Sequence, residues 1–244
     1  MKKKISHGQA NKSKLISVES GSANLEFMKY AVNYNDHLTA LLSANLKQGS
    51  PILDFGAGTG EFAVRLVKEG FNVHVLEVEQ TLAKDLEEIG FKTATSLIEV
   101  SDSFFPFVYS LNVLEHIEND LDALKKINSK LQPNGKLILY LPAFMILFSE
   151  MDRRVGHYRR YSKKSIRPIL IEAGYDIEIM HYSDFIGFFA AYLYKLTPRR
   201  DGAVSISTIR FFDSFIYPMN RVFDKIFARF CGKNIFIVAR KVRD

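Results

Sequence analysis

Three clusters of residues in this 244-residue chain have types and spacings suited to chemistry. The first is Ile52-Leu53-Asp54-Phe55-Gly56-Ala57-Gly58-Thr59-Gly60, a short apolar run that opens into glycines. Glycine lets the backbone turn tightly and lets a ligand come close. In a parallel sheet such a strand-to-helix turn lies at the C-terminal edge, where ligands bind. The spacing argues against a dinucleotide. G-x-G-x-x-G would require glycine or alanine at position 61, which holds Glu61. That acid would meet a pyrophosphate at the helix N-terminus. Asp54 adds a second negative charge, and carboxylates here suit a ligand carrying an ammonium or sulfonium. The second cluster is Glu77, which ends the run Val73-His74-Val75-Leu76. A carboxylate in that place accepts both hydroxyl protons of a ribose.

The third cluster is basic. Residues 151–170 hold seven Arg or Lys against one acid, Asp152. Within it, His157, Arg159, Arg160 and Tyr161 are candidates to bind an acceptor, because guanidinium forks grip phosphate or carboxylate and tyrosine offers a ring face. The alternative is that these arginines brace the body against its own acids. His116, which follows a strand-like run, has the pKa class of a base working near neutral pH. His116 and Tyr158 are the candidate catalytic groups. The alternative for His116 is a structural contact at a helix start. No His, Cys or carboxylate group shows metal-ligand spacing, so no metal is expected.

Elements that position these residues are legible as periodicity. Runs at 52–55, 72–76, 92–95, 107–111 and 136–141 read as strands, and 61–69, 81–89 and 120–131 as helices. Strands alternating with helices of about ten residues imply a parallel sheet covered on both faces. Pro133-Asn134-Gly135 reads as a turn. Residues 23–47 have helical spacing, 163–173 can be helical, and 176–181 and 234–240 read as strands. The stretch 184–230 is rich in Phe, Tyr and Ile, and is either a lid packed on the sheet or a surface that touches lipid. Residues 1–22 read as a disordered basic tail.

Composition narrows the classes. Apolar residues make up 47%, enough for a sizeable core and too many for a disordered chain. One cysteine, Cys231, excludes a disulfide framework. No export signal is visible and no apolar run reaches the roughly 20 residues of a membrane span, so a cytoplasmic protein is expected. The net charge of +6 mildly favours anionic partners.

The whole pattern resembles class I S-adenosylmethionine-dependent methyltransferases. The likeness extends past the glycine loop to Ser110-Leu111-Asn112-Val113-Leu114-Glu115-His116-Ile117, to Pro133-Asn134-Gly135 with 136–141, and to Gly232-Lys233-Asn234-Ile235-Phe236-Ile237-Val238-Ala239-Arg240. Met151-Asp152-Arg153-Arg154-Val155-Gly156-His157-Tyr158-Arg159-Arg160-Tyr161 is similar to a stretch of one bacterial subfamily. The resemblance covers roughly residues 25–241. It implies an α/β fold, a doubly wound, mostly parallel seven-stranded Rossmann-like sheet whose last strand is antiparallel. One domain over 23–244 would include a helical cap at 23–47 and a helical, aromatic-rich lid at about 184–230.

The resemblance also implies S-adenosyl-L-methionine as cofactor and S-adenosyl-L-homocysteine as product. Asp54, Gly56, Ala57, Gly58 and Gly60 would hold the methionine part, Glu77 the ribose, and Leu111 and Asn112 the far side, with Val78 a further cofactor contact. Two positions depart from the family pattern. Ser96 stands where an acid or polar group usually binds the adenine amine, and Pro106 where an aspartate usually begins the fourth strand. The expected acceptor is a small molecule, a glycan or a lipid-linked intermediate, anionic if the arginines face it. The rival readings are a nucleic-acid methyltransferase and a non-catalytic cofactor-binding protein. Ser110-Leu111-Asn112-Val113 lacks the Pro-Pro-aromatic run of amino-methylating DNA enzymes, which disfavours the first.

Overall fold

A computed structural model describes residues 29–196 and 206–242. The expected basic tail (1–22) and the first residues of the expected cap helix lie outside the described residues. Helix α1 (Val32–Ser43) is followed by β1 (Pro51–Phe55), α2 (Glu61–Lys68), β2 (Asn72–Leu76), α3 (Gln80–Glu88), β3 (Lys92–Ala94) and β4 (Phe105–Leu111). Then come α4 (Asp120–Lys130), β5 (Leu131–Pro142), a short α5 (Glu150–Arg154), α6 (Lys163–Glu172) and β6 (Tyr175–Ser183). Helices α7 (Phe185–Leu196), α8 (Ile206–Phe211) and α9 (Tyr217–Phe227) lie between β6 and β7 (Asn234–Lys241), with a π-helical turn, Phe212–Ile216, joining α8 to α9.

The strands form one seven-stranded sheet in the order β3-β2-β1-β4-β5-β7-β6. The first five are parallel, and β7 runs antiparallel between β5 and β6. This is the doubly wound sheet expected, with its antiparallel closing strand. The order reverses at β1, so the loops after β1 and β4 diverge and leave a crevice at the C-terminal edge.

Alternate side chains of the central strands feed two cores. Leu137, Leu139 and Leu141 of β5 pack with Ala123, Leu124 and Ile127 of α4 and with Ile166 and Leu170 of α6. Ile138 and Tyr140 face the other way, toward Leu38 and Leu42 of α1 and Leu66 of α2. A strand buried on both faces has no polar side to show, which is why β5 and β7 read as unbroken apolar runs.

The structure corrects one expected element. Pro133-Asn134-Gly135 is not a turn between helix and strand but lies within β5, where pairing jumps from Phe105↔Leu131 to Phe107↔Lys136. Asn134 takes the left-handed φ of 62° there. Pro106, opposite the irregularity, has no N–H to give to a ladder and sits where the ladder is interrupted.

The segment expected as a lid is joined to α1 by a long-range cap. Asp213 accepts from the backbone N–H of Asn33 and Tyr34 at 2.9 and 3.0 Å. These are free donors in the first turn of α1, and a carboxylate there satisfies them and the helix dipole together. The N-terminus of α7 is bonded in the same way by Asp224, Asn220 and Asp184, which accept from Phe185, Ile186 and Gly187 at 2.8, 2.8 and 3.0 Å.

The core assignment has a direct check. Leu124 is fully buried on α4, whereas Ile98 is 94% exposed. Leu124→Ala is expected to lower unfolding free energy by about 2–5 kcal/mol, and Ile98→Ser by less than about 0.5 kcal/mol. Urea denaturation of both variants measures the difference.

Candidate functional site

The loop between β1 and α2 places three left-handed glycines within five residues. Gly56, Gly58 and Gly60 have φ of 80°, 56° and 76°. The N–H groups of Gly56 and Ala57 both bond to the Leu76 carbonyl, at 2.8 and 3.1 Å, which pins the loop to the end of β2. A Cβ on Gly56 would stand 2.5 Å from Val113 Cγ2, and one on Gly60 would stand 2.5 Å from Leu86 Cδ2. At these two positions the left-handed backbone favours glycine, and a side chain would also displace Val113 or Leu86.

Two buried carboxylates flank the loop. Glu77 accepts from the Gly58 N–H at 2.7 Å with one oxygen and from the Glu79 N–H at 2.9 Å with the other. An ionised carboxylate has about four lone-pair sites, so acceptor capacity remains for a diol. Asp54, 4% exposed, accepts from the Tyr109 hydroxyl at 2.7 Å. Burial pushes its carboxyl up to about 7; the Tyr109 hydrogen bond works against this, and the nearby Glu77 charge adds to it. A cation beside Asp54 would restore the charged form.

Glu61, which the spacing argument set against a pyrophosphate, bonds to Arg65 at 2.7 Å, and Arg65 reaches on to Asp36. The other expected cofactor positions line the same edge. Val78 is 72% exposed. Leu111 is half-buried, and Asn112 is exposed with φ of 54° and its N–H on the Tyr140 carbonyl. A non-glycine residue held left-handed at a strand end carries strain of a kind that clusters at working sites. Ser96 donates to Glu99, which also takes the Thr95 hydroxyl. That acid beside the end of β3 was missed because it lies five residues beyond the strand, where local spacing carries no signal. Tyr34 was missed as well: it comes from α1 and hydrogen-bonds Asn112 and Tyr140.

Beyond β5 the chain folds back over the ends of β4 and β5. Asp152 is the hub. Its Oδ1 takes His157 Nδ1 at 2.9 Å and Arg160 Nε at 2.8 Å, and its Oδ2 takes the Ser149 N–H at 2.8 Å. These bonds outweigh its burial and hold its carboxyl far below the usual carboxylate range. Arg159 pairs with Asp120 at 2.8 Å and donates to the Glu118 carbonyl. Tyr161 is 1% exposed, with its hydroxyl on Asp120 at 3.0 Å. Arg153 and Arg154 both face Glu150. The forks of Arg159 and Arg160 are therefore engaged by acids of the fold, the arrangement that corresponds to bracing. Tyr158 stays half exposed, its N–H on the Glu115 carbonyl.

The same fold-back brings His157 to Glu115 and His116. The two imidazole rings lie 4.5 Å apart, edge to face. His157 Nε2 is 3.8 Å from Glu115 Oε1. Glu115 is fully buried and neither of its oxygens has a hydrogen-bond partner. Burial pushes its carboxyl up to about 8. Burial, then the neighbouring His157, lowers His116 to about 4. Spacing in sequence shows no metal-ligand group, yet in the fold one potential ligand atom from each of Glu115, His116 and His157 lies within 4.8 Å of the others. The separation of His157 in sequence hid the grouping. A separate cavity of about 560 Å³ opens between α1, β6 and α9, and no glycine-loop residue lines it.

Strand order, the glycine loop with its two acids and the antiparallel β7 together define a class I, Rossmann-like methyltransferase fold. Residues 26–178 match the family described as a methyltransferase domain, and the chain belongs to that family. It is similar to the ubiquinone biosynthesis O-methyltransferase of Rickettsia akari (strain Hartford), 29% identical over 148 residues, or 56% of this chain and 55% of that protein. The chain thus spans about half the length of that relative. Among solved structures, a SAM dependent methyltransferase from Archaeoglobus fulgidus superposes with a TM-score of 0.57 at 21% identity, covering 85% of this chain and 94% of that one. Phosphoethanolamine N-methyltransferase 2 of Haemonchus contortus, solved in complex with S-adenosyl-L-methionine, superposes with a TM-score of 0.53 at 17% identity, covering 81% and 50%.

The environment of Glu115 sets a pH signature. Its folded pKa, about 8, stands above the ordinary glutamate value of 4.5. The native state therefore holds a proton that the unfolded chain has released, and stability falls as pH rises from 4.5 through about 8. Glu115→Gln removes this dependence. Its stability relative to the wild type is expected to climb across that window, by an amount on the order of a few kcal/mol. Melting temperatures of both proteins from pH 4 to pH 9 measure it, and a flat difference would contradict a buried acid at this position.

Proposed function

We propose that this chain transfers a methyl group from S-adenosyl-L-methionine to a hydroxyl of a small, largely apolar acceptor. The observation that carries the cofactor reading is Glu77 bonded to the Gly58 N–H, which fixes a diol-accepting carboxylate against a loop of left-handed glycines. When bound, the cofactor supplies a methyl carbon activated by its sulfonium. Asp54 offers a buried negative charge to the cationic methionine part. Glu77 keeps lone pairs for the ribose hydroxyls, and exposed Val78 offers an apolar shelf beside it.

The acceptor side rests on His116 and His157. Asp152 is ionised and can only accept, so His157 donates to it from Nδ1, which turns Nε2 toward Glu115. His116 is neutral near pH 7, because its pKa is lowered to about 4. His116 can receive the proton that an acceptor hydroxyl releases as its oxygen attacks, and Asp152 holds the His157 ring edge to face against it. The forks of Arg159 and Arg160 are engaged with Asp120 and Asp152, which weighs against an anionic acceptor. Met145 and Ile146, exposed just after β5, favour an apolar one. The Rickettsia akari relative, whose name marks it as an O-methyltransferase, supports oxygen as the atom methylated.

The test is methyl-labelled cofactor with a panel of catechols and a lipid extract. Wild type is expected to label at least one acceptor. His116→Ala and His157→Asn are expected to lower kcat about 10²–10⁴-fold when the hydroxyl must be deprotonated, with cofactor affinity changed less than about twofold. Unchanged kcat in both variants would remove the base from this account.

A further inference from the structure

The helices between β6 and β7 carry an apolar row that the fold leaves outside. Phe211, Phe215, Met219, Val222, Ile226 and Phe230 follow one another at steps of four or three residues. Each is between 53% and 70% exposed. The opposite side of the same segment does the packing. Asp213 caps α1, Asp224 bonds the first turn of α7, and Phe223 and Phe227 stack on Phe185 at 5.9 and 4.4 Å.

Charge divides along the same line. Residues 206–230 hold two acids, Asp213 and Asp224, and both are turned inward to cap helices. Their four bases, Arg210, Arg221, Lys225 and Arg229, are exposed. The neighbouring α7 adds Phe189, Leu193 and Leu196 to the exposed apolar surface. An uncovered row of this length, rimmed by one sign of charge, marks an interaction face.

We propose that this face docks on an anionic lipid bilayer, with α8 and α9 lying along the surface. An amphipathic helix with aromatic and aliphatic side chains on one face and Lys or Arg beside them sinks its apolar face to the level of the headgroups. Anionic lipid attracts the basic rim. No helix among the described residues is long and apolar enough to cross a membrane, so the contact is peripheral. A second copy of the chain is a poorer occupant. Symmetric pairing through this face would set the four bases against four more, with no exposed acid of the segment to offset them. Residues 1–20, with five lysines and one glutamate, match the rim no better. The proposal does not rest on methyl transfer, and its test reads attachment without turnover.

The experiment is flotation of the full chain with vesicles of phosphatidylcholine alone, and of phosphatidylcholine mixed with phosphatidylglycerol. Binding to the mixed vesicles is expected, with little to phosphatidylcholine and partial release by added salt. The double variant Phe215→Ser with Ile226→Ser is expected to reduce partitioning about tenfold or more, and Arg221→Glu with Lys225→Glu to do the same. Val67→Ser, an exposed position on α2, should bind as wild type does. Unchanged melting temperatures show that the variants fold. The proposal is overturned by absence of binding to the mixed vesicles, by equal flotation of variants and wild type, or by a dimer in sedimentation that the Phe215→Ser, Ile226→Ser variant dissolves.

Discussion

The candidate site depends on one contact, the Glu77 carboxylate on the Gly58 N–H. It joins the end of β2 to the loop that leaves β1, and so fixes the loop's shape at the point where the sheet order reverses. The loop itself is a set of backbone groups with little side-chain mass, and glycines at three left-handed positions give it no rigidity of their own. Rigidity comes from outside, through Glu77 and through the Leu76 carbonyl, which takes two loop N–H groups. The same carboxylate is therefore both a brace of the loop and the group proposed to take the ribose diol.

A second carboxylate organises the other half of the crevice. Asp152 is the one acid among the seven bases of residues 151–170, and it gathers His157, Arg160 and Ser149. Through it, His157 and Arg160 become an internal frame, while Arg153, Arg154, Lys164 and Arg167 of the same segment stay exposed. An unpaired buried carboxylate, Glu115, is left beside two imidazoles, and such a group is costly unless its protonation changes. The site concentrates perturbed groups where the fold-back meets the end of β4, as working sites do.

Much of this was legible in the chain. The run Asn72–Leu76 was bounded correctly by its apolar residues and the closing acid, and β7 to within one residue, Lys241, by its unbroken Ile, Phe and Val pattern. The glycine spacing located the loop because backbone conformation there has a narrow residue code. What was not legible depended on distant partners. Asp213 caps a helix about 180 residues away, and nothing in its local sequence marks it as a cap. Whether Arg159 and Arg160 face a ligand or the body depends on where Asp120 and Asp152 come to rest, and spacing does not carry that. Pro133-Asn134-Gly135 was read as a turn from its residue types, yet the same types serve a bulge when both flanks pair with one neighbour.

The loop and Glu77 are shaped for S-adenosyl-L-methionine and its thioether product, not for a dinucleotide. Isothermal calorimetry with S-adenosyl-L-homocysteine and with NAD, on wild type and on Glu77→Ala, separates the two ligands. S-adenosyl-L-homocysteine is expected to bind, NAD to show no measurable binding, and affinity for the first ligand to be about tenfold or more weaker in Glu77→Ala. Tight binding of NAD with none of S-adenosyl-L-homocysteine would contradict that assignment.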